Sequence, residues 1–231
     1  MLAVAHFTPI LIAVMIGWIL SVCVHEFSHA LIAYLGGDAS VRRRGYLRFD
    51  PLSYIHPVTS ILLPVVFLMM GGIPLPGGAV YIDEAALRNR HWRALVSAAG
   101  PASNFVLFLV LAYFVHPARG LIDPNQYEQP MWAVFLGALL VLQLFGVFFN
   151  LIPIPPLDGF GIIEPYLPTR TRVAARNLGW GGLFVVFLLF SQVDTIRDGF
   201  MDLVNSVLQA FGLPFESTWR QYNLALFGSS E

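Results

Sequence analysis

The apolar run from Phe7 to Tyr34 leaves this chain few ways to fold. It exceeds the ~20 residues a helix needs to cross a bilayer, yet its second half carries Cys23, His25, Glu26, Ser28 and His29. Ionisable groups inside hydrocarbon cost about 2.5–3.5 kcal/mol each on insertion scales and usually mark function. The spacing of these groups is therefore informative.

In His25-Glu26-Phe27-Ser28-His29 the two histidines stand four residues apart. On a helix, positions i and i+4 share a face, so both imidazoles can grip one ion. Glu26 is offset by about 100° around the axis, beside that ion and free to take a proton from water. This is the HExxH arrangement of zinc proteases. A catalytic zinc takes three protein ligands and leaves one position open, so a third ligand is required. Asp158, after the prolines of Asn150-Leu-Ile-Pro-Ile-Pro-Pro-Leu-Asp158-Gly159, is one candidate. Read by itself, it is equally an ordinary turn aspartate before glycine.

The rest of the chain fits a membrane protein. Of 231 residues, 57% are hydrophobic and only 12% charged, against about 25% charged in soluble domains. All the basic residues are arginine, and no basic stripe points to nucleic acid. One cysteine, Cys23, excludes an internal disulfide and any CxxC metal knuckle; it reads as a small packing residue. No arginine precedes Arg42, so the first segment lacks the positive start of a signal peptide and is expected to stay as a membrane helix.

Further apolar segments run from Trp92 to Val115, Trp132 to Ile152 and Leu178 to Gln192. Thr195–Leu213 reads as a peripheral helix or an imperfect sixth span. Pro57–Pro74 contains an apolar core of 13 residues, Ile61 to Ile73, broken by Pro64 and Gly71-Gly72. Runs that short are more often re-entrant than spanning. A short strand-like edge, Ala79 to Ile82, follows. Arginine clusters at 42–48, 88–93 and 170–176 predict three cytoplasmic loops, which agrees with re-entry between the first two. The expectation is an all-α polytopic membrane protein of about five to six membrane helices plus a re-entrant segment. It forms a single domain over residues 1–231, with a catalytic core at about 7–165 and C-terminal membrane or peripheral helices at 178–213.

His25–His29 within a first membrane helix, together with Asn150 to Gly159, resembles the site-2 protease family of intramembrane zinc metalloproteases, in its compact branch without a PDZ domain. Ala98-Ala99-Gly100-Pro101-Ala102-Ser103-Asn104 is similar to that family's Gly-Pro-x-x-Asn element. The resemblance covers roughly residues 10–165. It implies that His25, His29 and Asp158 bind one zinc ion and that Glu26 is the catalytic carboxylate. It also implies three core helices and a site within the membrane near the cytoplasmic face of a prokaryotic inner membrane. The substrate would be a membrane protein or peptide.

Two segments depart from the family pattern: Tyr54-Ile55-His56-Pro57, and Gly72-Ile73-Pro74-Leu75-Pro76-Gly77. They leave the metal motifs intact but weaken any inference about substrate gating. Asn104 and Asn150 are candidates for substrate binding, Asn104 also for the oxyanion; packing is the alternative for both. His56 reads as a support or competitor for the metal ligands, or as a loop residue. His6, His91 and His116 lie at segment edges. Two rival functions remain at this point: a catalytically silent membrane scaffold of the same family, and a metal transporter. The oligomeric state is not readable.

Overall fold

The computed structural model describes residues 2–54, 80–119, 129–179 and 181–227. All regular structure among them is helical. The principal α-helices are α1 (Leu2–Gly36), α2 (Ser40–Arg43), α3 (Pro51–Tyr54), α4 (Arg90–Val115), α5 (Met131–Asn150), α6 (Asp158–Ile163), α7 (Thr169–Leu178), α8 (Gly181–Gln192), α9 (Asp194–Ala210) and α10 (Phe215–Phe227). Short 3-10 turns occupy Pro117–Arg119 and Glu164–Tyr166.

Three described helices are long and apolar enough to cross a membrane: Pro9–Gly36 within α1, Arg90–Val115 and Met131–Asn150. Their outward residues suit lipid. Ile12, Ile16 and Leu20 on α1, and Val106, Val110 and Tyr113 on α4, are exposed, although apolar patches of that size are rare on soluble monomers.

Among the described residues three such helices, or up to four, are found, so the sequence expectation of five to six is not reached there. The expected fifth, Leu178–Gln192, is divided. Helix α7 ends at Leu178, Gly179 takes a left-handed φ of 48°, and α8 has only 12 residues. At 1.5 Å per residue α8 is about 18 Å long, short of a ~30 Å hydrocarbon layer. The count reaches four only if α7 and α8 are taken together as one broken span. The expected sixth is α9, whose Arg197, Asp198 and Asp202 suit a peripheral helix. The strand-like edge is not a strand among the described residues: 80–82 are irregular, since a short apolar run forms a strand only beside a partner. Ala79, His56 and the re-entrant segment 57–74 lie outside the described residues.

The chain divides into two compact units. One comprises Met1–Ile19, Phe105–Phe145 and Asp198–Glu231. Aromatic rings fill it: Phe108 packs edge-on to Phe211, and Phe145 packs against Phe200, Trp219 and Tyr222. Gly17 lets α1 approach α5, because a Cβ there would stand 2.8 Å from Leu139. Small residues at such contacts let membrane helices pack closely.

The other unit comprises Leu20–Asn104 and Gly146–Arg197. Its apolar cluster is Ala30, Ala33, Val41, Leu87 and Val96. Helix α1 ends where Gly37 adopts φ 121°, conformational freedom that glycine has and other residues rarely use. The next residue, Asp38, is buried. Its carboxylate accepts from the backbone N–H of Ser40 and of Asp83, both at 2.8 Å. Arg88 N–H donates to the carbonyl of Gly36 at 3.0 Å. Together these bonds pin the 83–88 segment to the end of α1. Asn89 then caps α4, its Oδ1 accepting from His91 N–H at 2.9 Å and Trp92 N–H at 3.2 Å.

Burial works to raise the Asp38 carboxyl pKa, but the hydrogen bonds from Ser40 and Asp83 overcome it and hold the value below the ordinary one. A lowered folded value means that the stabilisation is present above the unfolded pKa and fades as pH falls through the folded one. Asp38→Ala is expected to cost about 2–3 kcal/mol, the range for losing bonds to a buried charge, read as a lower unfolding midpoint in detergent. An unchanged midpoint would show that the 83–88 segment is held by other means.

Candidate metal centre

His25 and His29 sit one turn apart on α1, and both are buried. Asp158 opens α6, beyond the break that three prolines enforce after α5. The fold brings all three together. His25 Nε2 lies 3.0 Å from His29 Nε2 and 3.1 Å from Asp158 Oδ2, and His29 Nε2 lies 3.4 Å from Asp158 Oδ1. These are the only three such residues grouped for metal binding among the described residues.

The far side of each imidazole decides what the near side can do. His25 Nδ1 lies 2.9 Å from Asn104 Oδ1, and His29 Nδ1 lies 2.6 Å from the carbonyl oxygen of Val96. Both partners are acceptors, so each Nδ1 carries the proton. In the neutral rings each Nε2 then presents a lone pair. The cluster is thus two nitrogen lone pairs and a carboxylate oxygen facing one another in a buried space. Asp158 Oδ2 is buried and has no hydrogen bond, although His25 Nε2 is within ion-pair distance. Such a set repels itself unless a metal ion or a proton sits among it.

A divalent metal fits this cluster. Zinc bonds to His nitrogen and carboxylate oxygen are about 2.0–2.2 Å, and tetrahedral angles then separate the donors by about 3.4 Å. The observed separations of 3.0–3.4 Å are equal to or slightly shorter than this, within reach of small side-chain adjustments. Backbone and side-chain carbonyls behind both histidines are the usual support for metal-binding imidazoles.

Glycines make the cluster possible, and here sequence reasoning missed a functional residue. A Cβ on Gly100 would overlap Nε2 of both His25 and His29, so α4 can lie against the imidazoles only with glycine there. The Gly-Pro element marked the position without giving its reason. A Cβ on Gly159 would overlap the carbonyl of Leu151, so glycine lets the chain double back and present Asp158.

Glu26 is buried next to the cluster. Its carboxylate feels the charges of His29, His25 and Asp158 and lies in hydrogen-bonding reach of the Val80 N–H. Asn104, a substrate-binding candidate in the sequence, is buried and holds His25. Asn150, the other candidate, donates its amide to the Gly146 carbonyl at 3.0 Å on its own helix. Cys23 is buried and free. His91 bonds Tyr166 at 2.8 Å on the exposed surface.

Two outcomes follow from this geometry. Gly100→Ala should lose most bound metal in elemental analysis while keeping its helical circular dichroism. Full metal content would mean that α4 does not contact the rings. Asn104→Ala should weaken metal affinity by about 10–100-fold in a chelator competition, and an unchanged affinity would remove its supporting role.

No protein-family model matches the chain, and no solved structure matches it significantly. Curated proteins do match it. One from Mycolicibacterium smegmatis is 42% identical over 199 residues, 86% of this chain and 73% of the relative. One from Mycobacterium tuberculosis is 40% identical over 185 residues, 79% of this chain and 69% of the relative. One from Bacillus subtilis is 29% identical over 208 residues, 83% of this chain and 90% of the relative. Each bears the name "Putative zinc metalloprotease", as Rip2 in the two mycobacterial species and YwhC in Bacillus subtilis. At that identity and coverage, and with the HExxH helix described above, the chain belongs to the site-2 protease family of zinc metalloproteases.

Proposed function

We propose that this metalloprotease hydrolyses peptide bonds of membrane-spanning proteins, with one zinc ion held by His25, His29 and Asp158 and with Glu26 as general base. The observation that carries the reading is the convergence of three acceptor atoms, 3.0–3.4 Å apart, beside a buried glutamate. When bound, zinc supplies Lewis acidity, bringing the pKa of water from 15.7 towards about 7.

The chain's own residues do the rest. Asn104 and the Val96 carbonyl fix the tautomers of His25 and His29. Glu26 accepts the proton of the attacking water and returns it to the leaving amine, a role typically worth 10²–10⁴-fold in rate. The Val80 N–H keeps the Glu26 carboxylate oriented. Burial of the cluster excludes bulk water and so strengthens each of these interactions.

Helix α1 supports the membrane setting, since the HExxH turn lies within a segment apolar and long enough to span. A substrate helix has its amides paired internally, so its scissile region must unwind before Glu26 and the metal can act on it. The arginines at 42–48 next to the end of α1 favour a site near the cytoplasmic face. A prokaryotic inner membrane is the compartment we assign, with the bacterial relatives in support.

Glu26→Gln is the test. It should retain zinc, because the ligands are untouched, and lower cleavage of a membrane-spanning substrate in detergent by about 10²–10⁴-fold. Cleavage at the wild-type rate would remove Glu26 from the mechanism. Zinc bound by the unaltered chain with no product from any membrane substrate would favour a silent scaffold instead.

A further inference from the structure

Beside the metal centre the second unit contains a cavity of about 370 Å³, within the size range of sites that bind small molecules or chain segments. Three of its lining residues connect it to the centre. Val80 lines it, and the Val80 N–H reaches Glu26. Val96 lines it, and the Val96 carbonyl accepts from His29. Gly161 lines it, one turn along α6 from Asp158.

The charges in this cavity are not used by the mechanism above. Arg93, Arg172 and Arg176 line it with Glu84 and Glu164. Arg176 bonds both Glu164 and Glu84, and Arg93 lies 3.6 Å from Glu84. Both carboxylates are therefore already shared between two of the arginines. Arg172 has no carboxylate partner among the described residues, and it is half-buried rather than free in solvent. A guanidinium so placed presents a planar fork suited to a bidentate carboxylate. The Glu84–Arg176–Glu164 bridge holds the 83–88 segment to α7, which fixes the wall from which Arg172 projects.

We propose that this cavity binds a peptide carboxylate through Arg172, next to the metal centre. The proposal rests on the peptidase reading and names the chemistry of its substrate or product. The carboxylate has two sources: an acidic side chain flanking the scissile bond, or the C-terminal carboxylate that hydrolysis creates.

The test is binding rather than turnover. Three dye-labelled peptides share one apolar core of about a dozen residues, of which a site of this size could enclose only a few. One carries two glutamates and an amidated C-terminus. One carries glutamines and a free C-terminal acid. The third carries glutamines and an amide, and so has no carboxylate. Fluorescence anisotropy is measured with the full-length chain in detergent, in the Glu26→Gln background so that nothing is cut.

At least one acidic peptide should bind about tenfold tighter than the uncharged one, as one charge-assisted contact supplies, and which one it is identifies the source. Arg172→Gln should reduce that ratio to about twofold or less, leaving affinity for the uncharged peptide unchanged. Equal affinity for all three, or a ratio that survives Arg172→Gln, overturns the proposal. If Arg172→Gln also loses the uncharged peptide, salt decides in the unaltered cavity. The preference should shrink as salt rises, and a salt-independent preference counts against Arg172. A preference without cleavage by the wild-type chain would keep this site and overturn the peptidase reading. Cleavage without a preference would do the reverse.

Discussion

Three lone pairs aimed at one another cannot stay buried without a positive charge between them. That repulsion organises the catalytic unit. His25 and His29 are committed to presenting Nε2 inward by acceptors behind them, at Asn104 and Val96. Asp158 adds a carboxylate with one oxygen lacking any hydrogen bond. A cation removes the conflict, and the separations already suit a tetrahedral ion. Glu26 then stands beside a charge rather than in empty apolar space, which accounts for four ionisable groups persisting together in one buried cluster.

The surrounding architecture brings these groups into register by close backbone approach. Helix α4 carries Gly100 against the imidazoles, and the same helix supplies Val96 and Asn104 as their supports, one turn to either side. The proline-rich break after α5 turns the chain, and Gly159 lets it fold back on Leu151 so that Asp158 faces the histidines. The bonds of Asp38 and Asn89 fix how α4 leaves the 83–88 segment. Packing, hydrogen bonding and metal chemistry therefore converge on one short stretch, residues 96–104. A change there disturbs ligand geometry without touching a ligand.

Much of this was legible in the sequence, for local reasons. His25, Glu26 and His29 declare themselves because i and i+4 share a helical face, and because charge inside an apolar run is costly. The three long spans follow from uninterrupted hydrophobicity over a bilayer's thickness. Asp158 was different: an aspartate before glycine after prolines reads as a turn, and only family resemblance lifted it to a ligand. Gly100 was harder still, since its role is a distant contact that leaves no local pattern. Leu178–Gln192 stays open as a span because hydropathy sees composition but not the left-handed Gly179 within it. The described part of the strand-like edge Ala79–Ile82, residues 80–82, misled because a short apolar run cannot supply the neighbouring strand that a sheet needs.

The central claim is that His25, His29 and Asp158 hold one metal ion jointly. Zinc-edge X-ray absorption on the purified chain tests this most directly, compared with an Asp158→Ala variant. The account predicts one zinc per chain, with two imidazole nitrogens and oxygen donors at about 2.0–2.2 Å, and loss of an oxygen donor or of the metal itself in the variant. A zinc coordinated by other residues, or a spectrum and zinc content unchanged by Asp158→Ala, would contradict it.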